Sequence, residues 1–143
     1  LETLRQWDFS ANPKDFIVIN LGTNDVNAYK LSQNIAAARQ FFQTHYLSFL
    51  KMLRHLNGPK TWILCTLGPL DYYLYDEICN VVSQYRAETD DNRISCFKFG
   101  GVVQWSEGYG AMGHPSLSTH RRMGKELAAH IKEILKVEVS HCE

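Results

Sequence analysis

A chain of 143 residues with 45% apolar and 21% charged side chains, nine glycines and four prolines has the composition of one compact folded domain, neither disordered nor low-complexity. Its 15 basic residues balance 15 acidic ones, so no net field draws it to nucleic acid or to an anionic membrane. No apolar run approaches the roughly 20 residues of a membrane span, and residues 1–14 mix charges without the apolar core of a signal peptide.

Phe16-Ile17-Val18-Ile19-Asn20-Leu21 is almost continuously apolar and largely β-branched. That is the pattern of a strand covered on both faces, as in a parallel sheet flanked by helices. It runs into a turn-forming cluster, Gly22-Thr23-Asn24-Asp25. Ile35, Ala38, Phe42, Tyr46, Phe49, Leu50 and Leu53 recur at helical spacing and predict a helix over Gln33–Leu56. Asn57-Gly58-Pro59 stops it. Thr61 to Leu67 reads as a second buried strand, ending at Gly68-Pro69. Tyr73 to Arg86 reads as a helix with Leu74, Ile78, Val81, Val82 and Tyr85 on its apolar stripe, and Ile94 to Phe99 as a third strand. An aromatic, glycine-rich loop leads into a last helix, Ser118 to Lys136, with Met123, Leu127, Ile131, Ile134 and Leu135 on one side. Ser118 fits its cap, His120 its first turn, and Arg121, Arg122 and Lys125 a solvated face.

Strands alternating with helices imply right-handed crossovers and an α/β fold: a three-layer α/β/α sandwich around a parallel sheet. Three strands leave two apolar edges unpaired, which natural sheets avoid. The expectation is therefore a sheet incomplete in this chain, with residues 1–143 as the C-terminal portion of a single domain. Cys65, Cys79, Cys96 and Cys142 show no C-x-x-C spacing, which argues against a zinc ribbon or thioredoxin-type site. Cys65 and Cys96 sit in apolar runs and are expected as buried free thiols.

Ligands of open α/β sheets bind beyond the carboxyl ends of the strands. Two segments fall there: Gly22–Asp25 and Gly110–His120. Asn24 offers a side-chain amide suited to an oxyanion, and His114, followed by Pro115, a possible general base. A turn asparagine also commonly bonds its own backbone, and a lone loop histidine is commonly just solvated. Gly108-Tyr109-Gly110-Ala111-Met112-Gly113 spells G-x-G-x-x-G, yet neither a directly preceding strand nor an immediately following helix accompanies it, so a dinucleotide loop is set aside. His114 and His120 lack H-E-x-x-H, and no zinc site is expected. Ser106, in Gln104-Trp105-Ser106-Glu107-Gly108, lacks the first glycine of G-x-S-x-G and is not taken as a nucleophile.

Taken in order, Gly22-Thr23-Asn24-Asp25 resembles the third block (G-x-N-D) of the SGNH, or GDSL, hydrolases, and Gly113-His114-Pro115-Ser116 resembles their fifth. Trp7-Asp8-Phe9-Ser10 and Gly108-Tyr109-Gly110-Ala111 add a resemblance to carbohydrate esterase family two, deacetylases of plant polysaccharides. The resemblance implies Asn24 as oxyanion-hole donor, His114 as catalytic base and Asp25 as a brace of the turn. Trp105 and Tyr109 could line a sugar site, because aromatic faces pack on pyranose rings; ordinary packing is the alternative. Where the family's acid stands, three residues before the histidine, this chain has Ala111, so the resemblance is to members that orient the histidine through a backbone carbonyl. The family's G-D-S block with the nucleophile, and the block after it, are not in this chain. A companion N-terminal polypeptide of the same domain is expected to carry that serine. The implied activity is ester hydrolysis that removes acetyl groups from carbohydrate, without metal or organic cofactor, at an extracellular or cell-surface site. The alternatives are a lipase- or thioesterase-type acyl hydrolase of the same fold, or a non-catalytic carbohydrate-binding module.

Overall fold

The computed structural model describes residues 7–9, 11–103 and 105–140, without the side chains of 28, 29 and 137–140. Ser10, Gln104 and Cys142 lie outside the described residues. The elements in chain order are β1 (Phe16–Asn20), α1 (Asp25–Leu31), α2 (Ile35–Asn57), β2 (Trp62–Leu67), α3 (Tyr75–Thr89), β3 (Ile94–Lys98) and α4 (Leu117–Ser140). Two short 3₁₀ turns, Trp105–Glu107 and Ala111–Gly113, sit between β3 and α4. The strands form a parallel sheet in the order β1-β2-β3, with Val18 opposite Leu64 and Leu64 opposite Ser95. This is the α/β sandwich expected from the alternation of elements.

The pleat divides the strand residues between two layers. Ile17, Ile19, Ile63, Cys65, Leu67, Ile94 and Cys96 pack with α2 and α3 through Leu50, Tyr46, Ile78, Val81 and Tyr85. Phe97 faces the other way and stacks on His130 of α4, with ring centroids 4.5 Å apart. Leu50, Ile63, Leu67, Ile78 and Ile94 are fully buried, each contributing roughly 1.5–3 kcal/mol of apolar transfer. α2 starts on Asn34, whose side chain accepts the Ala37 N–H at 3.0 Å. It stops at Gly58, whose positive φ of 77° suits glycine and whose N–H donates to Arg54 O.

Several expectations need correction. α1 is an extra helix of seven residues, too short to show a 3.6-residue period. Ile35 and Leu135 are exposed, so each apolar stripe is narrower than its spacing suggests. α4 begins one residue earlier than predicted, and Ser116, not Ser118, takes the capping position: its Oγ accepts the Thr119 N–H at 3.4 Å. Arg122 does not belong to a solvated face; its side chain is 23% exposed and bonded to two carboxylates. Cys65 is fully buried as expected, whereas Cys96 is only half-buried. No helix among the described residues is long and apolar enough to cross a membrane.

Candidate active site

The carboxyl ends of the strands are laced together. Asn20 Nδ2 donates to Gly68 O at 2.8 Å, joining the ends of β1 and β2. Val103 N–H donates to Pro69 O at 3.0 Å, joining the segment after β3 to the same turn. On this rim sit both predicted site segments.

Gly22 leaves β1 at φ 132°, and a Cβ there would lie 3.2 Å from a Leu67 methyl. Conformation and close packing therefore both demand glycine. The turn closes through Val26 N–H to Gly22 O and Asn27 N–H to Asn24 O, each 3.3 Å. Asp25 is the first residue of α1, where a carboxylate favours the positive end of the helix. Asn24 is exposed, and its amide makes no hydrogen bond among the described residues. A free donor on a tight turn can receive charge that develops on a substrate oxygen.

The second segment is a folded loop. Gly110 N–H donates to His114 O at 2.7 Å, His114 N–H donates to Ala111 O at 3.1 Å, and Tyr109 bridges Pro115. Met112, in the left-handed region at φ 55°, turns the chain back at its tip. The consequence falls on the imidazole: His114 Nδ1 lies 3.0 Å from the carbonyl oxygen of Ala111. A carbonyl only accepts, so Nδ1 carries a proton, and in the neutral imidazole the lone pair is therefore on Nε2. At the position where the resemblance places an acid, the backbone of Ala111 does the orienting. Asn24 and His114 are thus on the same rim but on separate loops, with no hydrogen bond between them among the described residues.

Trp105 and Tyr109 pack edge to face, centroids 5.9 Å apart, and remain 89% and 49% exposed. Ordinary core packing does not describe them. Ser106 is exposed in the first 3₁₀ turn. No group of three or more His, Cys, Asp or Glu side chains among the described residues is placed to hold a metal ion.

Sequence reasoning missed two features. One is Glu107, which binds Arg122 Nε at 2.5 Å and Thr119 Oγ1 at 2.9 Å and anchors the loop to α4. The available signal was the helical spacing of Ser116, Thr119, Arg122 and Glu126, which puts four polar residues on one face. The other is a cleft of about 350 Å³ lined by Leu21, Gly22, Phe41, Phe42 and Phe49, which opens beside the Asn24 turn.

The family model of the GDSL-like lipase/acylhydrolases matches residues 1–127. The chain is 34% identical over 136 residues to the cellulase/esterase CelE of Acetivibrio thermocellus, covering 91% of this chain and 16% of that protein. An acetyl xylan esterase, Est2A, from the rumen bacterium Butyrivibrio proteoclasticus superposes with a TM-score of 0.83 at 23% identity, over 92% of this chain and 39% of its own. A family two carbohydrate esterase from Cellvibrio japonicus gives 0.71 at 20%, over 95% and 38%. The two superpositions establish a shared fold, of which this chain spans about two-fifths in length. The match over residues 1–127, which takes in the Asn24 turn and the His114 loop, makes this chain a member of the GDSL-like lipase/acylhydrolase family.

Proposed function

We propose that this chain is part of a serine ester hydrolase that removes acetyl groups from carbohydrate. The observation that carries the reading is the His114 Nδ1 to Ala111 O contact at 3.0 Å, which leaves a lone pair on Nε2 in an exposed loop. In the proposed reaction a serine hydroxyl attacks the acetyl carbonyl and gives its proton to His114 Nε2. The carbonyl oxygen becomes an oxyanion that accepts a hydrogen bond from Asn24 Nδ2. Collapse breaks the bond to the sugar oxygen, which takes the proton from His114 and leaves an acetyl-enzyme. Water then gives its proton to His114, attacks the acetyl carbon and releases acetate, and the proton returns to the serine. A neutral carbonyl holds the imidazole's tautomer and direction, but does not match a carboxylate in stabilising imidazolium.

The serine belongs, in this reading, to a companion N-terminal portion of the domain. Among the described residues β1 pairs with β2 alone. Val18 and Leu21 beside its free edge are 39% and 54% exposed, and the apolar cleft opens next to them. A parallel strand and its flanking helix would cover all three, and would bring a residue at that strand's end to the same rim. The exposed Trp105–Tyr109 pair supports a sugar substrate, and the names of CelE and Est2A, a cellulase/esterase and an acetyl xylan esterase, agree. Such a polymer is met outside the cell, so the proposed working site is extracellular or at the cell surface.

The test is acetate release from acetylated xylan by the full-length protein and by its His114→Ala variant. Turnover that falls by about 10³–10⁴-fold in the variant supports the reading. Saccharide binding with no turnover in the wild type would replace it by a binding module. Faster cleavage of long-chain than of acetyl esters would replace it by a lipase-type hydrolase.

A further inference from the structure

The residues at the tip of the candidate site have little burial to hold them. Trp105, Tyr109, Met112 and His114 are all exposed, so apolar packing does not fix the loop on which they stand. Directional bonds to one face of α4 do. Ser116 Oγ donates to Glu107 O at 2.6 Å. Thr119 Oγ1 donates to Glu107 Oε2 at 2.9 Å. Arg122 reaches Glu107 with Nε at 2.5 Å and Nη2 at 3.2 Å, a two-pronged clasp. Its Nη1 donates to Glu126 Oε1 at 3.1 Å, and Nη2 also meets the carbonyls of Gly101 and Val102 at 3.3 Å. Glu126 closes the ring by accepting Gly100 N–H at 2.7 Å.

Spacings of three, three and four residues put Ser116, Thr119, Arg122 and Glu126 along one face of α4. That face grips both the segment leaving β3 and the start of the His114 loop. The clasped side chains of Arg122 and Glu107 are 23% and 13% exposed, which shelters their charges from full solvent screening. Charge-assisted, two-pronged bonds of this kind also fix direction, which a lysine ammonium cannot reproduce.

We infer that Arg122 is a positioning residue of the proposed hydrolysis: by holding Glu107 it fixes the 105–116 loop so that His114 keeps its place on the rim. The inference rests on the esterase reading for its catalytic consequence, but its geometric content is separate. A base displaced by about 1 Å loses on the order of 10² in rate. The loss should appear in kcat, since Nε, Nη1 and Nη2 of Arg122 are already engaged by Glu107 and Glu126.

The experiment uses the full-length protein with ¹⁵N-labelled histidine, and the variants Arg122→Gln, Arg122→Lys and Glu107→Gln. Wild type should show a His114 Nδ1–H proton protected from exchange by the Ala111 carbonyl. In Arg122→Gln that signal should be lost, with kcat for an aryl acetate down about 10²-fold and KM within about twofold. Arg122→Lys should fall between the two. Lys125→Gln, an exposed change on the same helix, should alter neither readout. If Arg122→Gln fails to fold, Glu107→Gln, which removes the charge and keeps the shape, should give the same two effects. A folded variant that keeps the Nδ1–H signal and a kcat within twofold of wild type would overturn the inference. So would a loss confined to KM. Absence of turnover in the wild type would instead overturn the esterase reading, and the proton signal alone would then decide whether Arg122 positions His114.

Discussion

The layer between the sheet and the α2–α3 pair is buried and largely apolar, whereas the rim where α4 meets the His114 loop is built from charges and carbonyls. In the first, Leu50, Ile63, Leu67, Ile78 and Ile94 are wholly removed from water. In the second, Arg122, Glu107, Glu126, Thr119 and Ser116 hold chain segments that bury little apolar surface. The difference separates two jobs. Burial supplies free energy without direction, so it suits a scaffold. Hydrogen bonds supply direction with a small net gain, so they suit a loop that must present one ring nitrogen at one place.

Each region can be broken separately. Leu50→Ala or Ile78→Ala should cost about 2–5 kcal/mol of stability by leaving a cavity in a packed layer; urea unfolding measures it, and a loss below about 1 kcal/mol would contradict the account of that layer. Asn24→Ala, on the rim, should lower kcat of the full-length protein by about 10²–10³-fold with an unchanged melting temperature. A parallel drop in both would show that the turn is structural. The scaffold should also respond to alkali. Burial pushes the Cys65 thiol from 9.0 up to about 12, and raises the Tyr46 hydroxyl as well, again chiefly by burial. A raised folded-state pKa means that stability is whole below the unfolded value and declines as pH rises through the window, here from pH 9 to 12. Melting temperatures across that window should fall, and fall less steeply in Cys65→Ala. The smallest stability effect belongs to Trp105→Ala, within about 0.5 kcal/mol because the ring is exposed. Its effect should be weaker binding of xylan fragments, measured by calorimetry; unchanged affinity would remove Trp105 from the sugar site.

Much of the scaffold is legible without coordinates. Two nearly continuous apolar runs, a shorter third strand segment and three long helical periods are enough for a parallel sheet with helices, because burial on both faces leaves a strand little polar alternation. α1 is not legible, since one face of a seven-residue helix shows too few repeats to distinguish it from a turn. The cap of α4 is Ser116, not Ser118: both serines precede the same apolar stripe, and the bonds of Ser116 Oγ to the Thr119 N–H and to Glu107 O distinguish them.

The candidate site divides along the same line. Gly22-Thr23-Asn24-Asp25 and Gly113-His114-Pro115-Ser116 are local motifs, and their residues could be named from the chain alone. Which carbonyl orients His114 could not: the resemblance implies a backbone acceptor, but residue identity does not say which one, and only the folded turn places the Ala111 oxygen 3.0 Å from Nδ1. Arg122 is a second instance. On a helix, a charge facing water and a charge clasping a carboxylate from a distant loop occupy the same polar stripe. Local periodicity therefore determined the three strands and the three long helices, and the local motifs named the residues that reach the rim. Only the tertiary structure decided how the loop is held, because its bonds join Arg122 to a carboxylate 15 residues away and to two backbone oxygens 20 and 21 residues away.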